Sequence, residues 1–148
     1  MVHALEEIHR LLRPTGTLID IHPVAESSPM ELHQGEKIDL VGSLSIRQWC
    51  LDYQQADDAL AEIAQRGLFA VEREALFDSL THYTSVEEMR MDQLNAVDKY
   101  ARDARSAGEG VPHIEALAVR AEELMRTAAS GAEVIIRERA HISRLKPA

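Results

Sequence analysis

Seven histidines and one cysteine are the side chains of this 148-residue chain with the most specific chemistry. Metal sites legible in a sequence hold such residues at helical spacing or in clusters. His3, His9, His33, His82, His113 and His141 form no H-x-x-x-H or H-E-x-x-H pair, and Cys50 alone supplies no thiolate cluster. Surface or edge histidines, and no metal ligand, are the expectation. His22 differs because it follows the apolar run "TLIDI", and a histidine at a strand end has the reach of a base or of a hydrogen-bonded loop residue. Cys50 lies beside Trp49 in a helical pattern with no activating cluster around it, which reads as a small buried hydrophobe. No serine occupies a G-x-S-x-G elbow, so no catalytic residue is assigned.

The elements that must position these residues follow from periodicity. Residues 4–12 place Leu5, Ile8, Leu11 and Leu12 on one helical stripe, which Pro14 and Gly16 stop. Thr17 to Ile21 reads as a buried strand, and "MELHQGEKIDLVG" as a hairpin around Gln34 and Gly35. Ser45 and Gln48 fit a capping box opening a long helix with Ile46, Trp49, Tyr53, Ala56, Leu60 and Ile63 on its apolar stripe, closed by Gly67. Leu68 to Tyr83 is taken as a strand, and the capping box Ser85 to Glu88 starts a helix with Val86, Met89, Leu94, Val97 and Ala101 inward. That helix is expected to end in "RSAGEG", with Pro112 in the first turn of the next, whose stripe is Ile114, Leu117, Ala121, Leu124, Met125 and Ala128. The final "AEVIIRERAHISRL" alternates, with Val134, Ile136, Ala140 and Ile142 on one side and Arg137, Arg139, His141 and Ser143 on the other: a half-exposed strand.

Bulk properties narrow the partners. The length suits a single domain over residues 1–148, large enough for its own core. A formal charge of -9 argues against nucleic acid, since phosphate binding needs a clustered basic surface; the partly basic "RERAHISRLKP" alternates with apolar residues as a solvated strand face does. No apolar run reaches the length of a membrane span, no signal-peptide pattern opens the chain, and a lone cysteine fits a reducing compartment, so a cytoplasmic protein is expected.

The order of elements adds a resemblance. "EEIHRLLRPTG" leading into "TLIDIHP" resembles the segment of class I, Rossmann-like S-adenosylmethionine-dependent methyltransferases in which a helix ending in R-x-L-x-P-G-G enters the fifth strand of the sheet, with Thr15 here in place of the first glycine. The long helix, the strand passing through "HYTSVEEM" and the last strand look like the antiparallel pair that closes that sheet. The resemblance spans the chain, but only as the C-terminal half of the family's domain. It implies an α/β fold and a methyl transfer to a small molecule, with His22, Trp49 and Tyr53 placed to line a substrate pocket. By their own pattern, on the apolar stripe of their helix, Trp49 and Tyr53 read more readily as core.

The family's glycine-rich turn and ribose carboxylate are missing from this sequence; "GEG" at Gly108 to Gly110 is read as a link between two helices. The chain is therefore expected to bind no S-adenosylmethionine alone and to be inactive by itself, being either completed by a chain carrying the cofactor-binding half or truncated by a gene event or a misplaced start. The alternative is a non-catalytic module derived from that fold. In either case the unpaired apolar edge of "TLIDI" points to a homodimer.

Overall fold

The computed structural model describes residues 1–100 and 104–148, with Ala101 of the expected helix stripe outside them. Its order is α1 (Val2–Leu11), β1 (Leu18–Pro23), β2 (Ser28–Gln34), β3 (Lys37–Leu44), α2 (Arg47–Gln65), β4 (Phe69–Tyr83), α3 (Val86–Tyr100), α4 (Ala104–Met125) and β5 (Glu133–Pro147). Among the described residues the protein is thus α/β, with four helices and an open antiparallel sheet of five strands. Two compact units divide it: residues 1–25, 49–78 and 139–148, and residues 26–48 and 79–138.

In the first unit β1 pairs antiparallel with the end of β5, from Leu18 opposite Leu145 to Pro23 opposite Ala140. β4 pairs with β5. The ion pairs Arg139 to Asp78, His141 to Glu74 and Arg144 to Glu72 give the direction, because β4 numbers fall as β5 numbers rise. The core gathers Leu5 of α1, Ala59, Leu60 and Ile63 of α2, Phe69 of β4 and Leu145 of β5, with Val2, Leu12, Leu18 and Leu68 against it. Two expectations change here. Leu11 is exposed, so the α1 stripe that packs is Val2 and Leu5, continued by Leu12 beyond the helix. On β5 Ala140 is buried as expected, but beyond it Ser143 and Leu145 are buried while Ile142 is only half-buried, so the inward phase departs from the apolar alternation past Ala140.

In the second unit β2 and β3 form the expected hairpin. Gly35 takes φ 65° at the first turn position and Glu36 keeps a negative φ, the pattern of a type II′ turn. β2 also pairs with β5, Met30 opposite Ile136 and Leu32 opposite Val134, and all four side chains are buried. Val134, Ile135 and Ile136 are buried in succession, so this stretch is covered on both faces and its polarity does not alternate. Ser85 Oγ accepts from the Glu88 N–H at 3.1 Å, while the Glu88 carboxylate reaches back one residue further than expected, to the Thr84 N–H at 3.0 Å. Val86, Met89, Gln93 and Val97 are the buried stripe of α3, with Leu94 at its margin.

Two helix boundaries move. α2 starts at Arg47, leaving Ser45 outside the helix and Ile46 buried just before it. α4 runs through "GEG" with Pro112 inside it, so neither the interhelical link nor the proline start holds. Packing outweighs the local breakers: a Cβ on Gly110 would lie 2.9 Å from Val97 Cγ2, so glycine lets α4 close on α3 at this point.

Candidate functional site

A cluster of titratable side chains with metal-ligand chemistry lies in the first unit, where β1, β5 and α2 meet. Side chains alternate along a strand, so Asp20 and His22 share one face of β1, and the register puts Ser143 and His141 of β5 directly beside them. Asp57 reaches the same place from α2.

His22 is 8 % exposed and both its ring nitrogens are engaged: Nδ1 with Asp20 Oδ2 at 2.5 Å and Nε2 with Asp57 Oδ1 at 2.9 Å. Carboxylates only accept, so the ring that satisfies both contacts is the imidazolium, donating twice. Burial opposes that charge, but the hydrogen bonds to Asp57 and Asp20 together outweigh it and raise the His22 pKa above the usual 6.5. A ring so held has no lone pair free, and it becomes a base or a ligand only by giving up a proton.

His141 packs edge-on against His22, with ring centroids 5.5 Å apart. Its Nε2 lies 3.4 Å from Ser143 Oγ and 3.5 Å from Glu74 Oε2, whereas its Nδ1 is buried with no hydrogen-bond partner. One donor atom from each of His22, Asp57 and His141 falls within 4.8 Å of the other two. Asp57 is 40 % exposed, which gives the cluster a side open to solvent.

Of the residues singled out by sequence, His22 is at the centre of this cluster. Trp49 and Tyr53 are half-buried on α2, two turns and one turn before Asp57 along one stripe of the helix, and the partner His22 meets on α2 is Asp57. Asp20, Asp57 and His141 have no local motif. The one signal was the period-two pairing of Asp20 with His22 and of His141 with Ser143 along their strands. Cys50 is half-buried on α2. No helix among the described residues is long and apolar enough to cross a membrane. No family model, curated protein or solved structure matches the chain.

Proposed function

We propose that this chain is the acceptor side of an S-adenosylmethionine-dependent methyltransferase of a small molecule, inactive by itself and completed by strands that join the outer edge of β1. The observation that carries this reading is the strand arrangement: β1, which follows the Pro-Thr-Gly turn, pairs antiparallel with β5, and β5 pairs with β4. Those are the three strands the resemblance picks out, and α1 and α2 pack in one core with β4 and β5. His22 lies near the end of β1, the strand that the resemblance places beside the acceptor.

Methyl transfer is an in-line displacement, so the protein's part is positioning and, where the acceptor needs it, proton removal. His22, donating one N–H to Asp20 and the other to Asp57, serves first to orient an acceptor and hold charge near it. The test joins or co-expresses the chain with a segment carrying a glycine-rich strand-to-helix turn encoded in the adjoining DNA, and titrates S-adenosylmethionine calorimetrically. Binding at about micromolar concentration by the pair, and none by the chain alone, is expected. Equal affinity of the chain alone, or adjoining DNA without such a turn, overturns the reading.

A second reading rests on β1 itself. Among the described residues β1 has β5 on one side only, and Ile19 and Ile21 are 51 % and 58 % exposed, an edge and face suited to self-association. Sedimentation of wild type and Ile19→Lys tests it: a dimer that the lysine splits supports a self-associating module, and a monomeric wild type removes it.

A further inference from the structure

We propose that His22, Asp57 and His141 form a binding site for a divalent first-row transition-metal ion, with Asp20 orienting His22 from behind. This inference is independent of the methyl-transfer reading and uses only the side chains of the first unit.

The donor set comes first. Two imidazoles and one carboxylate suit zinc, iron, cobalt or nickel, whereas magnesium and calcium prefer all-oxygen sites. Three protein donors leave coordination positions open, and the half-exposed Asp57 gives an ion a way in.

Geometry supports the same assignment. Bonds of roughly 2.0 to 2.1 Å in a tetrahedral site separate neighbouring donors by about 3.4 Å. His22 Nε2 and Asp57 Oδ1, at 2.9 Å, already stand near that spacing, and the 4.8 Å limit on the whole set leaves only small side-chain rotations to close it. The backbone beneath is fixed, because His22 and His141 are opposite partners in the β1 and β5 ladder.

The orphaned nitrogen is the second, independent observation. His141 Nδ1 is buried without a partner, and leaving a buried polar atom unsatisfied costs about 1 to 3 kcal/mol. Its Nε2 faces Ser143 and Glu74, and with the Nε2 proton turned to Glu74 the Nδ1 lone pair is the one open to an ion. An ion between the two rings would satisfy it, taking the place of the proton that His22 now shares with Asp57. Asp20 would remain on His22 Nδ1, the carboxylate to histidine to metal relay that fixes ring orientation and raises ligand basicity.

Zinc alone, titrated into the full chain by calorimetry at mildly alkaline pH, tests the proposal. One site with a dissociation constant of about a micromolar or tighter is expected. His141→Gln and Asp57→Asn should each weaken binding about a hundredfold and Asp20→Asn about tenfold. His82→Gln, whose ring pairs with Glu133 on the surface, should leave affinity unchanged. Imidazole nitrogen resonances of wild type should shift on zinc addition for His22 and His141 and not for His82, a readout that stands even where a variant fails to fold. Wild type that takes up no zinc at about millimolar concentration, affinity unaltered in both folded ligand variants, or ring resonances of His141 that do not move, each overturns the site.

Discussion

His22 and His141 face each other across paired strands, with planes at 84° and centroids 5.5 Å apart. Two imidazoles this close are costly to charge together, and their surroundings divide the work between them. A carboxylate sits on each nitrogen of His22, while His141 keeps one buried nitrogen without any partner. One ring has both nitrogens held, and the other keeps a nitrogen open to a further partner.

Stability should fall as pH rises through the His22 titration. The folded pKa of His22 lies above 6.5, so the native chain binds this proton more tightly than the unfolded one. Its contribution is complete below about pH 6.5 and is lost as pH passes the folded pKa. The groups that face the ring are Asp20 on its own strand, Asp57 on α2, and His141 and Ser143 on β5, with Glu74 of β4 beyond His141. With chelator present, the thermal midpoint should drop as pH rises above about 6.5, and His22→Gln and Asp57→Asn should both flatten that slope. The same slope in all three proteins would contradict the assignment.

The parts of this fold that sequence makes legible are those set by local chemistry. Gly35 and Gly67 adopt the positive φ their turns need, and Ser85 caps α3 as its spacing to Glu88 indicates. What sequence hides depends on what lies alongside. β5 is buried on both faces near Val134 to Ile136, so polarity there carries no phase, and carrying the alternation onward puts Ile142 inside where Ser143 and Leu145 belong. α4 continues through two glycines and a proline because the surface of α3 accepts it. The site follows the same logic: its donors come from β1, α2 and β5, and strand register and helix packing assemble them, so spacing along the chain pairs Asp20 with His22 and His141 with Ser143 but neither joins the two pairs nor flags Asp57.

Gly108 and Gly110 should respond oppositely to substitution. A Cβ on Gly108 meets nothing within 4 Å, so Gly108→Ala should gain about 0.5 to 1 kcal/mol from helix propensity. On Gly110 it would crowd both γ-methyls of Val97, at 2.9 and 3.2 Å, and a β-branched neighbour has few rotamers with which to yield. Gly110→Val should cost about 1 to 3 kcal/mol in urea unfolding. Equal effects at the two positions would mean that α4 does not close on α3 at Gly110.

Tyr83 ties the end of β4 to α3. Its hydroxyl donates to Asp92 Oδ2 at 2.6 Å and accepts from Gln93 Nε2 at 3.0 Å, and Gln93 is buried. Burial and the neighbouring Asp92 carboxylate push the phenol pKa far up, so the hydroxyl stays protonated across the working range. Tyr83→Phe removes both bonds while keeping the ring, and should cost about 1 to 3 kcal/mol. The loss should shrink in a Gln93→Leu background, where no buried amide is left wanting. A full-size loss in that background would place the cost on Asp92 alone.

Leu145 and Ile142 decide the inward phase of the last strand. Leu145 is fully buried, opposite Leu18 and among Leu5, Ala59, Leu60, Ile63 and Phe69. Truncating it leaves a cavity lined by fully and nearly fully buried side chains, so Leu145→Ala should cost about 2 to 5 kcal/mol in urea unfolding. Ile142 stands opposite Ile21, which is 58 % exposed, and is itself only half-buried. Water already reaches that face, and Ile142→Ala loses part of a transfer energy with no closed cavity, which should come to less than half the Leu145 effect. Apolar alternation predicts the reverse ranking, because it places Ile142 beside Val134 and Ile136 on the packed side. A larger loss at Ile142 would therefore turn β5 over, and with it carry His141 away from His22 and Asp57, so the same pair of unfolding curves also tests the strand register on which the cluster depends.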